Sequence, residues 1–306
     1  MVKRFRNNEV NHVYQRTISG FNIFYEVEDY LVYYTIFSVL AIRYGIAAYG
    51  LCLMIDHIHS LISAGSNRVF STFMSNVSIQ FVKEFNTHRN RGGSLFSKSF
   101  GWAPKHGIKL LRTAIAYLFN NPVERLLCKR AQDYRWNFLA YASSNNPFSE
   151  PLVRMHASRP LRRALSEVDG TVARNKHLTY PQLRRMFAGL DKKEKNQLID
   201  YIIVKYNVIR YDVLMTSCYD GYDNMVMAIN SNAGSEYDIS EYKSCYSDAE
   251  YRDLYKYVHE LGFKDAGEVV SLPFETRCSL MLEMLNKTSV PKIQICKFLH
   301  LRVAPK

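Results

Sequence analysis

The chain has 306 residues, room for two domains of ordinary size, and its 47% hydrophobic content excludes extensive disorder. Forty Lys and Arg against 28 Asp and Glu leave a formal charge of +12, which points to a polyanionic partner, nucleic acid before membrane. The six cysteines (Cys52, Cys128, Cys218, Cys245, Cys278, Cys296) form no Cys-x-x-Cys pair, which suits neither a zinc cluster nor a redox motif and fits a reducing cytoplasm.

Residues 1–6 are basic with no apolar run behind them, so no signal peptide is expected. His12 to Thr17 reads as a short strand, with Gly20 in the turn that follows. Glu26 to Arg43 is helix-length and begins with Glu26, Glu28 and Asp29, as a helix N-terminus prefers. Leu31 to Ile55 is apolar enough to raise the question of a membrane span. Arg43, Gly45 and Gly50 interrupt it, and a buried helix followed by a strand is the better reading. Ile46 to Ile62 is strand material, and Ser66 to Arg89 is a second helix with Phe70, Phe73, Met74, Val77, Phe81 and Phe85 near helical spacing. After the breaker at 90–93, Leu95 to Phe100 is expected as a strand and Lys109 to Phe119 as a helix stopped near Pro122. Alternating strands and helices predict an α/β or α+β domain over 1–146.

From about Asn145 the character changes. Residues 145–151 read as a linker, and 147–306 as a mainly helical domain. Asp191 with Glu194 and Ser247 with Glu250 have capping-box spacing, Ser231 to Ser235 is a polar loop, and Gly262 suits a helix C-cap. Residues 272–301 contain two helical stretches around a short turn. Ile293, Cys296 and Leu299 are expected inward, with Lys292, Gln294, Lys297 and His300 outward, similar to a helix-turn-helix; an ordinary helical hairpin fits the same pattern.

The chemistry centres on His57 and His59. In a strand, alternate side chains share a face, so these imidazoles point the same way and can grip one metal ion. A third ligand and a nucleophile are available from Tyr117 and Asn121, one turn apart on one helix face. The tyrosine–asparagine spacing carries no signal alone, because Tyr141 and Asn145 share it.

Several segments occur together in a recognisable order. They are His12-Val-Tyr-Gln-Arg16, Cys52 to His59 with Ile58 between the histidines, Leu95 to Phe100, Tyr117 to Val123, and Asp133-Tyr134-Arg-Trp136 with Tyr141. Over Asn11 to Tyr141 the chain resembles the HUH single-tyrosine transposases, most closely the REP-associated tyrosine transposases. Family members often have Pro-Asn where this chain has Ile55-Asp56, and the segment 101–107 has no place in the pattern; Asp56 is expected to face away from the histidines.

The resemblance implies an α+β, ferredoxin-like catalytic domain followed by the helical domain. It implies a divalent ion, Mg2+ or Mn2+, on His57, His59 and Asn121, with Tyr117 as the nucleophile that cleaves single-stranded DNA through a 5′-phosphotyrosine. The partners it implies are single-stranded and hairpin DNA, with no membrane and the protein a monomer or homodimer, in a bacterial cytoplasm near the nucleoid. Candidate DNA contacts are Arg4, Arg16, Arg89, Arg91, Lys98, Arg162, Arg163, Lys292 and Lys297. A domesticated, catalytically silent hairpin-binding regulator is the main alternative. A relaxase is disfavoured because the tyrosine helix follows the histidine strand.

Overall fold

In the computed structural model, residues 5–97, 100–232 and 247–302 are described. The first half runs β1 (Asn11–Arg16), α1 (Val27–Tyr44), β2 (Ala47–Leu53), β3 (His57–Ser63), α2 (Asn67–His88) and β4 (Gly101–Pro104). The four strands form one antiparallel sheet in the order β2-β3-β1-β4. That order, with two crossover helices, is the ferredoxin-like arrangement.

Local chemistry sets the helix boundaries. Glu26 and Asp29 form a reciprocal capping box at the start of α1, and Gly45, at φ 62°, ends it. The Ser66 hydroxyl accepts from Val69 N–H to open α2. The sheet is covered on both faces. Val13, Ile58 and Ile62 pack with α1 and α2, whereas Cys52 and Leu61 pack under α3 (Gly107–Glu124). Pro122 lies within the last turn of α3 instead of stopping it: its missing N–H costs one bond, while Arg125 N–H still reaches the Asn121 carbonyl.

One strand is displaced from its expected place. At 95–97 the chain crosses the end of β1, with a single bridge between Phe96 and Thr17, and pairing along β1 begins only at Gly101. Leu95 and Phe96 are buried as core fillers. Gly101 is needed where it stands, since a methyl there would lie 1.9 Å from Tyr14 Cζ.

The second half is helical: α4 (Arg159–Ala173), α5 (Tyr180–Phe187), α6 (Lys192–Lys205), α7 (Tyr211–Leu214), α8 (Tyr222–Ser231), α9 (Tyr251–Glu260), α10 (Phe274–Lys287) and α11 (Lys292–Phe298). The main apolar core runs through both halves, from Val13 to Leu301. Tyr34 of α1 donates to the Ile203 carbonyl of α6 at 3.0 Å, and Asn120 of α3 to the Ile229 carbonyl of α8 at 2.6 Å. The stretch 145–151 is pinned as well, Phe148 N–H donating to Asp200. No helix among the described residues is long and apolar enough to cross a membrane.

Two expectations need correction. Arg89 is 1% exposed and cannot meet DNA. Its guanidinium pairs with Asp29 at 3.1 Å and Asp265 at 2.5 Å, lies against Gly267, and ties the start of α1 to the end of α2. Of the outward face assigned to 292–300, Lys292 is exposed and the rest is turned in. Gln294 is buried, His300 stacks on Phe21 and donates to the Asn22 carbonyl, and Lys297 reaches Asp56, which leaves one of the four expected groove-facing residues of this stretch pointing out.

Candidate active site

β3 places His57 and His59 on the sheet face that α3 covers, and the helical spacing of Tyr117 and Asn121 brings both back onto that face. All four are at least nine-tenths buried. Both imidazoles converge on one amide. His57 Nε2 lies 3.2 Å from Asn121 Oδ1, and Asn121 Nδ2 donates to His59 Nε2 at 3.2 Å. The Tyr117 ring stands edge-on to His59, with centroids 5.4 Å apart.

Two residues set the histidine tautomers. Asp56 belongs to the turn between β2 and β3, not to a regular strand, so its carboxylate swings back and accepts from His57 Nδ1 at 2.6 Å. The expectation that it faces away fails because the turn breaks the alternation. His12 of β1, unremarked in the sequence as a site residue, lies 3.1 Å from His59 Nδ1 and stacks on that ring. Because His59 Nε2 accepts from Asn121, a neutral His59 carries its proton on Nδ1 and donates it to His12.

Electrostatics favour the same states. Burial pushes the His59 pKa well below its ordinary value, assisted by the charges of His57, Arg16 and Arg125. Burial alone would raise Asp56, but the charge and hydrogen bond of His57, then Lys297 and Arg125, outweigh it and hold the carboxyl below its usual range. Asp248 lies further along the same cluster, 3.6 Å from Arg125; burial and the charge of Asp56 raise it to about 6.

These residues suit a divalent cation. With the His57 proton on Nδ1, its Nε2 and Asn121 Oδ1 are two acceptors 3.2 Å apart, a contact that either a proton or a cation between them relieves. A neutral His59 adds a second nitrogen. Asn121 Oδ1 offers a third donor beside the two imidazoles; among the described residues no three His, Cys, Asp or Glu side chains form a metal-holding group. Two imidazoles suit Mn2+ at least as well as Mg2+, which prefers oxygen.

The remaining candidates are scattered. Arg16 stands opposite His57 in the β1–β3 register, and half-buried Arg91 donates to Asn86 and Ser94. Arg162, Arg163 and Lys292 are exposed. Arg4 and Lys98 lie outside the described residues. Besides His12 and Asp56, sequence reasoning missed the approach of Lys297 to this site, for which no local signal exists across 240 positions.

No curated protein matches the chain. A solved structure, described as the structure of the REP associates tyrosine transposase bound to a REP hairpin, resembles it with a TM-score of 0.37 and 15% identity, over 44% of this chain and 81% of that one. Residues 11–121 match the family model described as Transposase IS200 like. The matched segment, 11–121, holds His57, His59, Tyr117 and Asn121 and is similar to the IS200-like transposases.

Proposed function

We propose that the protein is a metal-dependent single-stranded DNA endonuclease and strand transferase that works through a covalent 5′-phosphotyrosine. The observation that carries this is the convergence of His57 and His59 from one strand on Asn121 of another element, with Tyr117 one helical turn away.

Tyr117 Oη attacks the scissile phosphorus, forming the phosphotyrosine bond as the 3′-oxygen leaves and takes up a proton. The phenol, protonated at neutral pH in its ordinary state, gives up its proton in the same step. When bound at His57, His59 and Asn121, the divalent ion supplies charge stabilisation to the phosphate oxygens. Asp56 and His12 keep the two rings oriented. Reversal by another 3′-hydroxyl joins strands without ATP, because the bond energy stays in the phosphodiester. Hairpin-bearing single strands are the substrate class, with Arg16, opposite His57 on β1, together with Arg91 and the exposed Arg162 and Arg163 of α4 as backbone contacts.

The test mixes full-length protein with labelled single-stranded hairpin DNAs and Mn2+ and resolves covalent adducts on a denaturing gel. Wild type is expected to form an adduct, and Tyr117→Phe to form none while binding the same DNA. Hairpin binding without any adduct would instead support a silent DNA-binding regulator, and an adduct surviving in Tyr117→Phe would sink the tyrosine mechanism.

A further inference from the structure

We propose that Lys297, from the far end of the chain, is a positioning residue for His57 and acts through Asp56; the inference rests on reading His57 as a metal ligand. The two oxygens of Asp56 are divided between two partners. Oδ1 accepts from His57 Nδ1 at 2.6 Å, and Oδ2 lies 3.7 Å from Lys297 Nζ. The carboxylate is therefore held from behind while it orients the ring. A ligating imidazole with its second nitrogen on a carboxylate is fixed in tautomer and direction, and loss of such support weakens metal binding.

Contacts along its stem and backbone hold Lys297 at this position. Its stem lies over Gly20, where an added methyl would come within 2.9 Å of Lys297 Cε and where φ is +68°. Backbone bonds clamp the end of α11 to the connection between β1 and α1. Asn22 N–H donates to the Lys297 carbonyl at 3.3 Å, and the Tyr25 hydroxyl to the Phe298 carbonyl at 2.5 Å. The same connection grips Asp56 from the other side, since Thr17 donates through both N–H and hydroxyl to the Asp56 carbonyl. Arg125, the other cation acting on Asp56, is engaged at 3.6 Å by Asp248. Lys297 is the cation that stands at the second oxygen of the Asp56 carboxylate, 3.7 Å away.

Without the lysine, Asp56 keeps a buried charge whose second oxygen has lost its ionic partner, and the carboxylate can turn away from His57. The test uses full-length Lys297→Met and Lys297→Arg, with Lys287→Met, an exposed lysine of α10, as a charge control. Mn2+ titration followed by electron paramagnetic resonance should show binding weakened about 10-fold or more in Lys297→Met, largely restored by arginine and unaltered in the control. A metal-free readout comes from two-bond 1H–15N correlations of His57 at a pH where the ring is neutral. Wild type is expected to show the Nδ1–H tautomer, and Lys297→Met a mixture.

Unchanged Mn2+ binding together with an unchanged tautomer in Lys297→Met would overturn the proposal. If wild type shows no Mn2+ binding that His59→Ala removes, the metal reading fails, and the tautomer still decides the role of Lys297. Should Lys297→Met fail to fold, Lys297→Gln, which keeps a donor without the charge, is read by the same criteria.

Discussion

Both nitrogens of the His57 ring face an oxygen, Nδ1 that of Asp56 and Nε2 that of Asn121, and the character of the two neighbours differs. Asp56 brings charge, Asn121 only a dipole. Asp56→Asn keeps an acceptor for Nδ1–H but removes the charge; it is expected to weaken Mn2+ binding about 10-fold and, because it leaves Lys297 without its carboxylate, to lower the melting temperature, measurable by titration and calorimetry. Glu26 offers a pH test independent of the site. Burial, with the nearby charges of Asp265, Asp29 and Glu28, raises it from 4.5 to about 7, against a hydrogen bond from Ala266 N–H. Between those values the folded state binds more protons than the unfolded one, so its contribution falls as pH rises from about 4.5 through 7. Glu26→Gln should match wild type at pH 4 and exceed it at pH 8 by about 1–2 kcal/mol in urea unfolding. An equal gap at both pH values would exclude this account. The shared face of His57 and His59 follows from period two and that of Tyr117 and Asn121 from a helical turn, because each pattern is local, but only the resemblance to a family singled out that tyrosine–asparagine pair over Tyr141 and Asn145. Asp56 was misread because one turn residue escapes the alternation that orders its neighbours.

Among the elements, β4 shows where apolar patterning misleads. Leu95 and Phe96 have the composition of a strand, yet they fill the core at the end of β1, while the glycine-led Gly101–Pro104 does the pairing. What selects Gly101 is the Tyr14 ring on the neighbouring strand, a contact between residues far apart in sequence that no window of the sequence contains. Gly101→Ala should destabilise by about 1–3 kcal/mol through overpacking, and Tyr14→Ala in the same chain should recover part of that loss in a double-mutant cycle. The end of α2 teaches a related lesson about charge. Arg89 sits in a basic run, His88 to Arg91, that reads as a DNA-facing cluster, but two distant acids draw it inside. Arg89→Met would leave Asp29 buried without its cation, with an expected loss of about 3–5 kcal/mol in denaturant unfolding. A loss under about 1 kcal/mol would mean that the bonds to Asp29 from the Tyr180 hydroxyl and from the backbone N–H groups of Tyr25 and Glu26 suffice.

At the scale of the whole molecule, the change of composition near Asn145 marks a change of architecture, while the main core runs on through it. The fold class of each half was legible from alternation and helical periodicity. Their mutual packing was not, since it depends on contacts such as Tyr34 with Ile203 and Tyr180 with Asp29 that join distant stretches. A fragment of residues 1–146 would expose apolar residues that α5 and α6 cover. It should lack the dispersed amide spectrum and cooperative melting of the full chain, and a well-dispersed spectrum would argue that the sheet half folds alone.

The seat of Lys297 against Asp56 also has a consequence in time. A ribosome releases the histidine strand and the tyrosine helix roughly 180 residues before it makes the lysine, about 10–35 s at ordinary elongation rates. During that interval the nascent chain carries every reactive group of the proposed cleavage reaction without its last support. The order of synthesis therefore leaves the proposed metal site without this support until α11 has been made.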